Sequence, residues 1–250
     1  MKQPSPSPNL DMTAFEAKVD QLRQAHPDSR IQSFEFAGHK YWLKQPERLE
    51  GAMKLLKDDP KRALQTEIDA LTRLAGKDAP VPRVVLSGND FFVVEDAGKT
   101  VSDWLHAARQ DEMVPFGDIL NDSASALAEL HRMELAHGRP ALRDIGWQEG
   151  EVKFIDFEAS QQGRSQSYQQ QRDLLVYLHS LYRYMGADHG QIDAAIGNYR
   201  AAGGEQTWLD TQKRMRRWQW LRPLLRPFRN IGGKDLKPLY WVLWHFHSHR

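Results

Sequence analysis

The sequence predicts an α+β chain of two lobes, and three observations carry that prediction. Strand-like segments crowd the first hundred residues, helical periodicity dominates the rest, and "EDAGKT" (95–100) lies between them as a Gly-containing hinge. At 250 residues the chain is long enough to bury a sizeable core in two lobes. The expected boundaries are a disordered tail over 1–12, an N-lobe over 13–97 and a C-lobe over 98–250.

The elements follow in order. "AFEAKVDQLRQAH" spaces Phe15, Val19 and Leu22 three to four residues apart, as one face of a surface helix requires. "RIQSFEFAGHKYWLKQ" sets β-formers and aromatics around an "AGHK" turn and predicts a hairpin over 31–44. "KRALQTEIDALTRLAG" places Leu64, Ile68, Leu71 and Ala75 on one helical face and closes on Gly76. "VPRVVLSGNDFFVVEDAG" reads as two short strands joined by an "SGND" turn. Then come a short helix in "TVSDWLHAAR", a buried helix in "FGDILNDSASALAELHRMELA", a loop at "HGRPALRDI", a strand in "EVKFIDFE" and an amphipathic helix in "QRDLLVYLHSLYRYM".

Composition narrows the function classes. The chain is 40% apolar and 27% charged, ordinary for a globular protein, and it holds eight Trp. With no cysteine, disulfides, thiolate nucleophiles and thiolate metal sites are excluded. The opening "MKQPSPSPNLDM" has no apolar run, so it does not read as a secretory signal, and no stretch reaches the ~18 apolar residues of a membrane span. A cytoplasmic location is the expectation. The net charge of +1 conceals an asymmetry: residues 213–237 hold nine Lys/Arg against one acidic residue, Asp235, a local balance of +8 that leaves −7 elsewhere.

The candidate chemistry is that of phosphate transfer, which needs a cation on nucleotide phosphates, a group to hold that cation, ligands for Mg²⁺, and an orienter for the acceptor hydroxyl. Lys44 ends the second arm of the predicted hairpin; alone, it reads as an ordinary solvated lysine. Glu67 shifts that balance, because it lies on the inward stripe of its helix between Leu64 and Leu71, and a carboxylate turned inward calls for a cationic partner. The backbone at Glu95, Asp96 and Ala97 is placed to offer N–H and C=O groups to an adenine edge, with a plain strand-to-helix loop as the alternative. Asp156 stands at a strand end, and Asp144 lies 12 residues earlier, so the pair brackets a hairpin and can share a cation.

Taken in order, Lys44, Glu67, the 95–97 hinge, His137–Gly138 and Asp156 resemble the protein-kinase-like superfamily. The resemblance covers roughly residues 30–185 and is greatest to the small bacterial branch of lipopolysaccharide-core (Kdo and heptose) kinases, RIO-type kinases and aminoglycoside phosphotransferases. Its most specific part is "LAELHRMELAHG…VKFIDFE", which looks like that family's helix, catalytic loop and metal strand. It implies a two-lobed kinase-like fold with a small N-lobe sheet and a helical C-lobe. It also implies ATP and Mg²⁺ as cofactors, Lys44 on the phosphates, Glu67 orienting it, and Asp144 and Asp156 as metal ligands.

The chain departs from that pattern twice. Arg139 stands where the family carries its catalytic Asp in H-G-D-x-x-x-x-N, and the first hairpin offers only Gly38 where a Gly-rich phosphate loop is expected. The leading expectation is an ATP- and Mg²⁺-dependent phosphotransferase of altered activity, acting on a small-molecule or lipid-linked sugar hydroxyl or on a protein. The alternatives are a pseudokinase serving as a nucleotide-binding or regulatory module, and a RIO-type kinase associated with nucleic acid.

"KRMRRWQWLRPLLRPFRNIGGKDLKPLYWVLWHFHSHR" (213–250) interleaves Arg with Trp218, Trp220, Phe228, Trp241 and Trp244. Such a segment suits an anionic membrane surface, which would make the protein peripheral at the inner membrane face. Nucleic acid ranks behind that reading. The plain alternative is a last helical layer with Arg outward and Trp inward.

Overall fold

The hairpin at the start of the chain forms because alternate residues bury one face and a two-residue turn suits its twist. Strand β1 (Ile31–Phe36) pairs antiparallel with β2 (His39–Lys44), and Ala37 and Gly38 between them both take positive φ, 49° and 76°. In the computed structural model, residues 11–46, 60–111, 113–157, 164–233 and 235–249 are described, so the expected tail over 1–12 falls largely outside them. Met12 already belongs to the first helix. The chain is α+β and divides into two units, Met1–Asp78 with Pro82–Asp96, and Ala79–Val81 with Ala97–Arg250.

The first unit is a four-stranded antiparallel sheet in the order β1-β2-β4-β3, with β3 spanning Val84–Ser87 and β4 spanning Phe92–Glu95. Helix α1 (Met12–Ala25), capped by the Asp11 carboxylate on the Ala14 N–H, buries Phe15 and Val19 against this sheet. Phe15 is fully buried and meets Phe36 and Tyr41 edge-on at centroid distances of 5.2 and 5.0 Å. Helix α2 (Pro60–Ala75) buries Leu64, Ile68, Leu71 and Leu74. Leu74 therefore closes the apolar stripe where the periodicity had pointed to Ala75.

The second unit is mostly helical. Helix α3 (Val101–Ala108) follows a two-residue strand, β5 (Lys99–Thr100), and the long α4 (Phe116–Arg132) buries Ile119, Leu120, Ala124, Leu127 and Leu130. Strand β5 extends the hairpin of β6 (Ile145–Gln148) and β7 (Glu151–Phe154) into a three-stranded sheet, which the sequence pattern does not announce. Residues Ala79–Val81 join this unit through the Phe154 N–H, which donates to the Pro80 carbonyl at 2.7 Å.

Helix α5 (Gln166–Met185), capped by Ser165, packs with α7 (Glu205–Arg216) and with α10 (Leu236–Ser248), while α6 (His189–Tyr199) packs on α4. Between α6 and α7 the chain kinks at Gly203, where φ is 115°, and the next residue, Gly204, lies so close to the Tyr199 ring that a Cβ would sit 2.3 Å from it. In the core of this end, burial pushes the Tyr182 hydroxyl up and holds His245 far below its ordinary value, at about 3.

The basic segment corrects one expectation. Pro227 separates α8 (Leu221–Leu225), which carries Pro223 in its first turn, from α9 (Phe228–Ile231), and Trp218 and Trp220 are 50% and 61% exposed, so these two rings face outward with the arginines. Trp208, upstream of the segment, is the tryptophan that is fully buried. Among the described residues, no helix is long and apolar enough to cross a membrane.

Gly146 in β6 gives a direct test of the second sheet. A Cβ there would lie 2.1 Å from the Ala97 carbonyl oxygen, a clash between backbones that no side-chain rotation relieves. Gly146→Ala is expected to lower stability by about 1–3 kcal/mol or more, read as a drop in the thermal midpoint by circular dichroism.

Candidate functional site

In the first unit, the strand register decides where Lys44 points. Lys44 is paired across the sheet with Phe92, and its ammonium lies 5.5 Å from the centre of that ring. The α2 face that buries Leu64, Ile68 and Leu71 also carries Glu67, and Lys44 and Glu67 form a close ion pair. Both side chains keep about a quarter to a third of their surface exposed, so the pair is neither sealed nor freely hydrated.

The backbone at 95–97 is arranged less openly than the sequence suggested. The Glu95 N–H donates to the Arg83 carbonyl at 3.1 Å and the Asp96 N–H to the Lys40 carbonyl at 3.1 Å, so both extend the sheet's bonding. Their carboxylates are likewise engaged. Glu95 pairs with Arg83 at 2.8 Å, and Asp96 accepts from Trp42 Nε1 at 2.5 Å beside the Lys40 ammonium at 3.3 Å. Any backbone donor offered to a ligand from this stretch falls to Ala97.

In the second unit, a buried carboxylate shapes the loop after α4. Asp173 is fully buried on α5, and its two oxygens accept the backbone N–H groups of His137 at 2.6 Å and Gly138 at 2.9 Å. His131 Nε2 stands 3.5 Å from the same carboxylate and is itself held through Nδ1 by the Tyr199 hydroxyl at 2.8 Å. Arg172, the neighbour of Asp173, donates to the Gly138 carbonyl. Gly138 takes φ 96°, a left-handed conformation that glycine accepts without strain. Because α5 begins at Gln166, Asp173 works from two turns inside the helix rather than at its N-terminus.

His137 carries the constraint onward. Its Nε2–H donates to the Ile155 carbonyl at 3.0 Å while Nδ1 accepts the Arg139 N–H at 3.2 Å, so the two bonds fix one neutral tautomer. Burial holds this imidazole below its ordinary value, and its ring stacks on Phe157 at 4.4 Å. The Ile155 N–H in turn donates to the Asp144 carbonyl at 3.0 Å. Asp144 and Asp156 are thereby brought to the same place, with Asp156 at φ 62°, a left-handed conformation that Asp tolerates better than most residues.

Arg139 lies between the two carboxylates. Its Nη2 donates to Asp156 Oδ2 at 2.9 Å and its Nε is 3.9 Å from Asp144 Oδ2, while Arg143 approaches Asp144 Oδ1 at 3.5 Å. The two acids differ in setting: the Asp144 side chain is 8% exposed and that of Asp156 is 63% exposed. Burial is the chief reason that the Asp144 carboxyl is pushed up to about 6, with Asp156 adding to the rise and the two arginines opposing it. Asp144 Oδ2 is buried without a hydrogen-bond partner, which leaves an acceptor facing the guanidinium.

Of the residues predicted for the site, the structure joins Lys44 to Glu67 in one unit and Arg139, Asp144 and Asp156 in the other. Sequence reasoning missed Arg143, Arg172 and His131, which hold the second group in place. Only their nearness to Asp144, Asp173 and His137 along the chain hinted at them.

These features define an α+β protein with an anchored loop and a carboxylate–guanidinium cluster. No family model matches the chain. It is 40% identical over 226 residues to an uncharacterized protein of Haemophilus influenzae, covering 90% of this chain and 93% of that protein, and it belongs to that protein's family.

Two outcomes test the cluster. Asp173→Ala leaves two buried N–H groups without acceptors and is expected to cost about 2–4 kcal/mol in chemical denaturation, with Asp173→Asn costing less because one acceptor remains. The folded pKa of Asp144, about 6, exceeds the ordinary 3.8, so the folded state holds this proton more tightly and stability falls as pH rises from about 4 to about 6. In buffer with a metal chelator, Asp144→Asn should therefore stabilise the protein at pH 7.5 by on the order of 1–2 kcal/mol, a gain that vanishes by pH 4.

Proposed function

We propose that this chain is a protein-kinase-like phosphotransferase that binds ATP with Mg²⁺ and acts on a hydroxyl of a sugar, a lipid-linked sugar or a protein. The observation that carries the reading is the pinned loop: Asp173 holds His137 and Gly138, His137 holds the strand end at Ile155, and Arg139, Asp144 and Asp156 converge as a result. A fixed constellation of charge is what phosphoryl transfer asks of a protein, since its loose transition state is stabilised chiefly by positioning and neutralisation.

The roles follow from each group's chemistry. Lys44, oriented by Glu67, is the cation for nucleotide phosphates. Asp144 and Asp156 fit a hard divalent cation, since both already face a positive group and one buried oxygen of Asp144 lacks a hydrogen bond. Mg²⁺, when bound, neutralises phosphate oxygens. Arg139, displaced from the carboxylates, is then available to an anionic acceptor or to the transferring phosphate. The outward Trp218 and Trp220 among the arginines of 213–229 support work at an anionic membrane surface.

A second reading draws on one specific observation. Arg139 itself supplies the cation between the carboxylates, which is how a scaffold that binds nucleotide without metal and without transfer would be built. The two readings separate in one set of assays. A phosphotransferase should show a melting-temperature rise with ATP that requires Mg²⁺ and is lost in Lys44→Met and Asp156→Ala, together with ATP turnover. Stabilisation by ATP that persists in chelator, with no turnover, selects the regulatory module. Absence of any nucleotide effect on the wild-type chain sinks both.

A further inference from the structure

The C-terminal helix carries a second cluster, distant in sequence from Arg139, Asp144 and Asp156. His245 in α10 and His249 at its C-cap lie four residues apart, as "HFHSH" places them, and their rings stack at a centroid distance of 4.4 Å. Asp193 of α6 reaches the same spot. Its Oδ1 lies 3.5 Å from His245 Nδ1 and 3.5 Å from His249 Nε2, and the three ligand atoms all fall within 4.8 Å of one another.

Those separations are too long for good hydrogen bonds and close to what a shared ion imposes. Zinc-class bonds of about 2.0–2.1 Å in tetrahedral array set neighbouring donor atoms roughly 3.3–3.5 Å apart. The proton inventory points the same way. His249 Nδ1 is 2.9 Å from the His245 carbonyl, which can only accept, so Nδ1 carries the ring hydrogen and the Nε2 lone pair is turned toward Asp193. A backbone carbonyl in that position is how metal-binding histidines are commonly oriented. Asp193 Oδ1, which faces both imidazoles, is buried without a hydrogen-bond partner.

On the remaining side, the Tyr182 hydroxyl is 2.9 Å from His245 Nδ1 and 3.3 Å from His189 Nδ1, so it has a second acceptor to turn to when Nδ1 takes an ion. Trp208 and Phe246 close the apolar side, with Trp208 edge-on to His245 at 5.6 Å and stacked on Phe246 at 4.7 Å.

We propose that Asp193, His245 and His249 form a binding site for a divalent transition-metal ion of the zinc class, which ties the last helix, α10, to α6. Two imidazoles and one carboxylate favour such an ion over Mg²⁺ or Ca²⁺, which prefer all-oxygen shells. Three protein ligands leave a further coordination position for water.

The full-length chain, freed of metal by chelation, is titrated with Zn²⁺ by calorimetry and with Co²⁺ by visible absorption. The expected result is saturable binding near one equivalent, a Co²⁺ spectrum of four- or five-coordinate type, and a higher thermal midpoint that chelator reverses. His249→Ala, at a partly exposed position, and Asp193→Asn should each weaken affinity roughly tenfold to a hundredfold. His39→Ala, at an exposed site in the first unit, should leave it unchanged. Should His249→Ala not fold, Asp193→Asn decides alone. No saturable binding, or binding of equal affinity in the folded Asp193 and His249 variants, overturns the proposal.

Discussion

The second unit's loop geometry depends on one buried carboxylate. Asp173 has no solvent to hydrate it, and a charge so placed persists only where donors converge on it; here they are the N–H groups of His137 and Gly138. The bonds work in both directions: the loop satisfies the acid, and the acid fixes the loop. From that point the restraint passes along a short path, through the His137 ring to Ile155 and from Ile155 to Asp144, without a long-range tether.

What converges at the end of that path is a charge balance rather than a simple acidic pair. Two carboxylates so close would repel, and the guanidinium of Arg139 removes the repulsion from within the chain. Arg139 thus supplies the cation that the two acids require. Burial makes Asp144 the costly member, because it is the less hydrated, whereas exposed Asp156 is screened by water. Whether a second cation competes with Arg139 for these carboxylates is the question that separates the two functional readings.

Much of this was legible in the sequence where local pattern and burial agree. The hairpin over 31–44 and the apolar stripe of α2 follow from alternation and from the helical repeat, and together they imply that Lys44 and Glu67 meet, as they do. The start of α5 was not legible, because "QSYQQ" is polar and offers no apolar repeat; the amphipathic pattern begins only at Gln171, whereas the helix begins at Gln166 and holds Asp173 in its interior. Strand β5, two residues long, exists only because β6 pairs with it. The outward Trp218 and Trp220 show that interleaved Arg and Trp do not by themselves say which side is buried. The sequence did not single out His245 and His249, and Asp193 lies 52 residues before His245, so only the packing of α6 near α10 brings the three together.

Gly204 shows how far the tolerance of the loop extends beyond its own residues. A methyl group there would press on the Tyr199 ring, whose hydroxyl holds His131 beside Asp173. The amount of space at one bend of the chain is thus coupled, through a phenol and an imidazole, to the acid that shapes the site. A larger residue at that bend is thus felt by a loop it never touches, so a temperature-sensitive phenotype can arise there without any change in the charged residues themselves.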